Sequence, residues 1–290
     1  MTRRLTLAAL ATLFAAATLQ ASEAPGSVFM WKVERGGATV HLLGSIHALK
    51  AEAYPLPAAI ESAFEGSEVV VFEVDLDEMT GGAFEMLAAG SLEAGQTLEG
   101  TLGPDLWAEL AEASAGVGLD PAMLQFMKPW MAALSVAALE LSAAGYLPAY
   151  GLDSHFAGRA EEAGKRREAL ETVEFQIGLF NSMSPEQSAA FLRYTLADLE
   201  TLDPVLDELY RHWRAGEVGP IAELMGREFV GFPELHRALI ADRNRRWLPR
   251  IEELLAGGQE ALVVVGALHL VGDEGLVALL RRRGYTVTQQ

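Results

Sequence analysis

The sequence predicts an α/β fold: a central mixed or parallel sheet built from the N- and C-terminal segments, with a mainly helical insertion between them. Apolar runs lie near both ends of the chain, "VVVFEVD" at 69–75 and "ALVVVG" at 261–266. Such runs suit strands buried on both faces, as in a parallel sheet with helices on each side. Between them the chain is rich in Ala, Leu, Met and Gly, and its periodicity is helical. The two ends must therefore meet in one sheet. With 290 residues, half of them hydrophobic, the chain can bury a sizeable core.

The elements follow in order. Arg3 and Arg4, an apolar stretch from Leu5 to Leu19 and then small residues have the layout of a secretory signal peptide, with cleavage after Ala21 or Ala24. The apolar run is shorter than the roughly 20 residues of a spanning helix, and no later stretch is apolar enough to span. Residues 22–290 are expected to form a single domain, with an α/β core at about 28–76 and 259–290. Residues 28–43 predict a hairpin turning at Arg35-Gly36-Gly37. "AYPLPAAIESAFEGS" opens a helix ending near Gly66, before the strand that contains Glu73. The helical insertion covers about 77–258. Its longest candidate helix runs from Asp120, as N-cap, to Gly145, with a kink or break at Pro129. A short strand is expected near 168–171. Further helix boundaries fall at Pro185, Pro204, Pro220 and Pro233, and a final strand, helix and strand close the sheet.

Composition excludes some functions. The chain has no cysteine, so disulfides, thiolate metal sites and a cysteine nucleophile are out. Its formal charge is −18, and loss of Arg3 and Arg4 with the leader takes it to −20. Such a surface repels nucleic acid. No HExxH, Gly-x-Ser-x-Gly or P-loop is present.

The chemistry lies in an echo. "LLGSIH" and "VVGALH" each end an apolar strand with Gly-x-x-His, giving Gly44–His47 and Gly266–His269. Glu73 is also near a strand end, among Val71, Phe72 and Val74. In open α/β sheets ligands sit outside the carboxyl ends of strands, and a buried carboxylate needs a partner. Two histidines and one carboxylate can hold a metal ion and leave a position for water. The same three groups allow a metal-free reading, with Glu73 orienting a histidine that acts as general base on water. They also allow a structural one, with each histidine closing a strand turn and Glu73 paired to an arginine. Asp153 and His155 in "GLDSHF" could add a ligand, although Asp153 reads more readily as a helix N-cap. Glu171 in "LET" is either near the site or a surface charge. Arg243 and Asn244 lie in "ADRNRRW", a run that usually marks a solvated helix face. His41 reads as structural, and His212 and His236 as surface residues on helices.

In this order the motifs "LLGSIHALK…YPLP", "VVVFEVD", "KPW", "YGLD", "ALETVEFQ", "RN" and "VVVGALHLVGDEGLVALL" resemble the TraB/GumN family. The resemblance runs from about Val28 to the C-terminus. The animal Tiki metalloproteases belong to that family, and erythromycin esterase and the haem-binding ChaN proteins are more distant relatives in fold. The resemblance implies a metal-dependent hydrolytic centre at His47, Glu73 and His269, with manganese or cobalt favoured and zinc possible. It implies that Gly44, Gly266, Asp153, Glu171, Arg243 and Asn244 line or brace the same cleft, and it leaves the role of His155 open. The expected protein is thus an exported, peptidase-like hydrolase acting on a peptide or small molecule. Two alternatives stand beside it: a metal-free, esterase-like hydrolase, and a binding protein for haem or another apolar ligand with Met, Phe and Trp at 123–131 lining its pocket. Oligomeric state is not legible.

Overall fold

The computed structural model describes residues 26–199, 202–228 and 233–290; the expected leader at 1–21 lies outside them. Six strands form one mixed sheet: β1 (Met30–Arg35), β2 (Ala38–Ser45), β3 (Val69–Phe72), β4 (Arg166–Ala169), β5 (Ala261–Gly266) and β6 (Thr286–Gln289). Their spatial order is β4-β3-β5-β2-β1-β6. The first four are mutually parallel, and β1 runs antiparallel to both β2 and β6.

The hairpin turns where expected. Gly36 and Gly37 have φ of 58° and 95°, which residues with a Cβ rarely adopt. All of β3 and all of β5 are buried, as continuous apolar runs require when helices flank a parallel sheet. Each such Val or Leu side chain stabilises the fold by roughly 1.5–3 kcal/mol. Flanking helices close over the sheet: Phe64 from Ala58–Gly66 meets Phe156 from Leu152–Glu162, and Trp247, Leu248, Ile251, Leu254 and Leu255 line the buried face of Asp242–Ala256.

The middle of the chain is mainly helical and builds a second apolar cluster from Leu98, Leu106, Leu110, Leu124, Ala132, Ala133, Val136 and Leu192. Of the kink or break expected at Pro129 in the candidate helix from Asp120 to Gly145, the structure shows a break, which leaves two elements. Asp120 caps a short 3-10 turn, Pro121–Leu124, and a separate helix runs Pro129–Ala143. Pro129 starts that helix because it lacks an N–H and fixes φ, which suits a first turn and not an interior one. Within "MLQFMKPW", Leu124 and Trp130 join the core, while Met123 and Phe126 are exposed. Among the described residues no helix is long and apolar enough to cross a membrane.

The register decides where chemistry can gather. Ser45 of β2 pairs with Gly266 of β5, and Phe72 of β3 pairs with Val264 of β5. Four neighbouring parallel strands therefore end along one edge, and the residues just past them are brought side by side.

Candidate functional site

Each of those strand ends delivers a polar group. His47 follows β2, Gly266 ends β5 and His269 closes the short 3-10 turn after it, Glu73 follows β3 and Glu171 follows β4. The Glu73 carbonyl accepts the Glu171 N–H at 2.8 Å, which extends the ladder one step beyond the strands.

Glu73 is the hub. Its Oε1 accepts the Gly266 N–H at 2.7 Å and lies 4.0 Å from His47 Nε2 and 3.8 Å from His269 Nε2. Its Oε2 accepts from Arg243 Nη2 at 2.5 Å. Burial pushes the carboxyl up. Against it, His269, Arg243, His47 and the Gly266 N–H hold it down, at about 2. Arg243 is the permanent cation of this set, so Glu73 is an anion at neutral pH.

The two histidines differ. His269 is buried, and its Nδ1–H donates to Asn244 Oδ1 at 2.8 Å. Asn244 is oriented in turn by donating through Nδ2 to the carbonyls of His269 and Glu274. His269 Nε2 accepts from Arg243 Nη1 at 3.2 Å, and Trp247 packs on the ring with centroids 4.4 Å apart. Burial lowers its pKa to about 3, so the ring is neutral with its lone pair on Nε2. His47, by contrast, has a side chain 63% exposed. Its Nδ1 donates to Asp153 Oδ2 at 2.8 Å, and Ser45 Oγ donates to the same oxygen. The Asp153 charge raises His47 to about 9, with solvent at the open ring screening part of that pull.

Several groups stand elsewhere than their sequence context suggests. Asp153 is not the N-cap of Leu152–Glu162; Gly151 holds that position and Asp153 turns to His47. Gly151 is required by close approach, because a Cβ there would collide with the His47 carbonyl. Glu171 is no surface charge: its side chain is 3% exposed and forks onto Arg243 Nε and Nη2 at 2.9 and 2.8 Å. Arg243 and Asn244 are buried rather than solvated. They follow a π-helical turn, Arg237–Ala241, that opens Asp242–Ala256. Such a turn shifts the phase of the helix face, and here two consecutive side chains reach the same centre. His155 stays outside the cluster. Its ring rests on Tyr54 and Phe156, and its Nε2 is buried without a hydrogen-bond partner among the described residues. His212 is buried, not on the surface, and pairs with Glu217 and Glu208. His236 lies 3.8 Å from Glu274.

Sequence reasoning missed four neighbours. Ser45 sits inside the first Gly-x-x-His. Gln176 Nε2 lies 3.5 and 3.4 Å from Glu73 and Glu171. Trp213 Nε1 donates to the Gly44 carbonyl at 2.6 Å and so anchors the strand end that carries His47. Trp247 supports both His269 and, at 4.8 Å, the Arg243 guanidinium. For the two tryptophans no sequence signal pointed here.

The glycines of the paired motifs have different work. A Cβ on Gly44 would collide with the Phe29 ring, so Gly44 serves packing. A Cβ on Gly266 would stand 3.2 Å from His47 Nε2, 3.3 Å from Glu73 Oε1 and 3.5 Å from His269 Cδ2. Gly266 thus keeps open a small space that all three groups surround. The donor set fits a divalent cation: two imidazole Nε2 atoms, each ring fixed through Nδ1, face one carboxylate. As they stand, no group of three His, Cys, Asp or Glu among the described residues is drawn up to hold a metal ion. Arg243 occupies Glu73 Oε2 and the lone pair of His269.

The model of the TraB/PrgY/gumN family matches residues 29–289. Among proteins similar to this chain, YbaP of Escherichia coli (strain K12) is 24% identical over 246 residues, covering 85% of this chain and 89% of YbaP. Metalloprotease TIKI1 of Xenopus tropicalis is 24% identical over 316 residues, and Metalloprotease TIKI1 of Homo sapiens 25% identical over 316. Each covers 89% of this chain and 61% of the relative, so the chain spans about three-fifths of those animal proteins. No solved structure matches.

Proposed function

The chain belongs to the TraB/PrgY/gumN family, and from that premise we propose that it is an exported, metal-dependent hydrolase of peptidase type. The relatives named metalloproteases favour hydrolysis. The N-terminal leader pattern favours export. The observation that carries the metal is the space at Gly266, ringed by His47 Nε2, His269 and Glu73 Oε1.

His47, Glu73 and His269 would hold the ion. When bound, a divalent cation supplies a water of lowered pKa and polarises a substrate carbonyl. The rest belongs to the chain. Asn244 fixes His269 as the tautomer with its Nε2 lone pair free. Asp153 accepts the His47 Nδ1–H and keeps that ring turned inward, with Ser45 steadying the carboxylate. Glu73 acts as ligand or takes the proton of the attacking water. Formal charge agrees: Glu73, Asp153 and Glu171 against Arg243 leave −2 when both rings are neutral, and a divalent ion cancels it. Manganese and cobalt are the ions of first choice, zinc the next.

A metal-free hydrolase is the second reading, favoured by the cation Arg243 already at the centre. It needs neutral His47 as base, so its rate would climb toward pH 9.

The test is peptide cleavage by wild type, His47→Ala and His269→Ala with Mn²⁺, Co²⁺, Zn²⁺ or chelator, beside metal analysis of the purified protein. The reading expects activity that needs the ion and both histidines. Full activity in chelator, or activity surviving either substitution, overturns it.

A further inference from the structure

Arg243 stands where a second cation would be unwelcome. Its guanidinium bridges Glu73 at 2.5 Å and Glu171 at 2.8 Å through Nη2, and its Nη1 spans the Leu239 carbonyl and His269 Nε2, each at 3.2 Å. It is buried and stacks over Trp247. Its partners are thus one carboxylate and one imidazole lone pair of the proposed ligand set, together with a carboxylate outside that set.

We propose that Arg243 is a resident cation that competes with the divalent ion for Glu73 and His269; this rests on the metal reading given above. Without the ion, Arg243 satisfies two carboxylates that would otherwise be buried and unpaired, which is strongly destabilising when one partner is removed. With the ion, Arg243 gives up His269 Nε2 and keeps Glu171, whose two oxygens accept its Nε and Nη2. The apoprotein thereby stays folded, and the affinity of the site is held below what its ligands alone would give, because like charges at close range repel strongly away from bulk water. Arg243 is a positioning residue with a cost to affinity, unlike Asn244, which only supports its ligand.

The sign of one measurement decides between these roles. Mn²⁺ binding is measured by calorimetry for wild type, Arg243→Gln, Arg243→Met and Arg243→Lys, and thermal unfolding is followed with Mn²⁺ and with chelator. Competition predicts that Arg243→Gln binds Mn²⁺ at least tenfold more tightly than wild type, unfolds at lower temperature in chelator, and gains more from Mn²⁺ than wild type does. A purely supporting role predicts the opposite, a loss of about 10–100-fold in affinity. Looser or equal binding by the glutamine variant overturns the proposal and leaves the metal reading standing. No binding by wild type or any variant overturns both. Should Arg243→Gln fail to fold in any condition, Arg243→Met decides by the same sign, since it too removes the charge, whereas Arg243→Lys keeps a point charge at the centre and should bind close to wild type.

Discussion

Replacing Gly266 by alanine is the sharpest test of where the chemistry sits. The backbone allows it: φ of −48° and ψ of 137° suit any L-residue, and a compatible Gly→Ala change stabilises by about 0.4–1 kcal/mol through the unfolded chain. The new methyl sits at 3.2–3.5 Å from three side chains, a crowding whose cost starts at about 1 kcal/mol. The two effects nearly cancel, so the melting temperature should stay within about 4 °C of wild type. Ion binding should weaken sharply. His47 Nε2 and Glu73 Oε1 are 4.0 Å apart, so a cation at roughly 2.1 Å from both lies within roughly 0.6 Å of the line joining them. The methyl would stand roughly 2.6 Å from that line, hence roughly 1.9–3.2 Å from the cation, too close over most of that range. Calorimetry with Mn²⁺ should show affinity at least about a hundredfold weaker, and peptide cleavage should fall with it. A folded Gly266→Ala protein with wild-type affinity would refute the placement of the ion among these three groups.

Further expectations concern the two motifs and pH. Gly44→Ala should destabilise by about 1–3 kcal/mol through overpacking against the buried Phe29 ring, read by chemical denaturation; a neutral effect would mean that Phe29 moves freely aside. In metal-free protein, His47 is raised to about 9 by Asp153. Its contribution to stability is full below the unfolded value near 6.5 and is lost as pH rises through about 9. Asp153→Asn should flatten that alkaline slope, and an unchanged slope would exclude the pair as its source. On the acid side, Glu73, held at about 2, stabilises above its unfolded value near 4.5 and ceases to as pH falls through 2. His269, lowered to about 3, leaves the unfolded chain binding the extra proton below about 6.5, so stability falls from there downward. Urea melts of chelated protein between pH 4 and 7 should show this decline, and a flat profile would count against a neutral, buried His269.

The sheet was legible because burial on both faces writes itself as unbroken apolar runs, and β3 and β5 are such runs. The Gly-x-x-His echo was legible because a strand end, a glycine and a histidine lie within a few residues. Taken residue by residue, Asp153 stood open between a ligand and a helix cap, and Glu171 between the site and a surface charge. Arg243 and Asn244 looked like a solvated helix face and could be attached to the cleft through the family resemblance alone. What settles those readings is tertiary. Gly151 takes the cap and frees Asp153. A π turn shifts the phase of the helix that carries Arg243 and Asn244, and no periodicity argument contains that shift. Trp213 reaches Gly44 across 169 positions of sequence through a single N–H, a contact with no local signature. The break at Pro129 was legible from the proline itself, whereas the short turn before it, which draws Leu124 into the second cluster, was not, because the apolar pattern runs straight through.

The strand order also sets a timetable. β5 lies between β2 and β3, yet it comes after both of them and after β4 in the chain. Until it is in place the sheet has a gap at its middle. β2 and β3 have no register with each other until that strand arrives, because each pairs with β5. Closing so long a loop is slow in folding terms. His47 and Glu73 are consequently brought together by β5, and the centre is complete only when that strand has been placed.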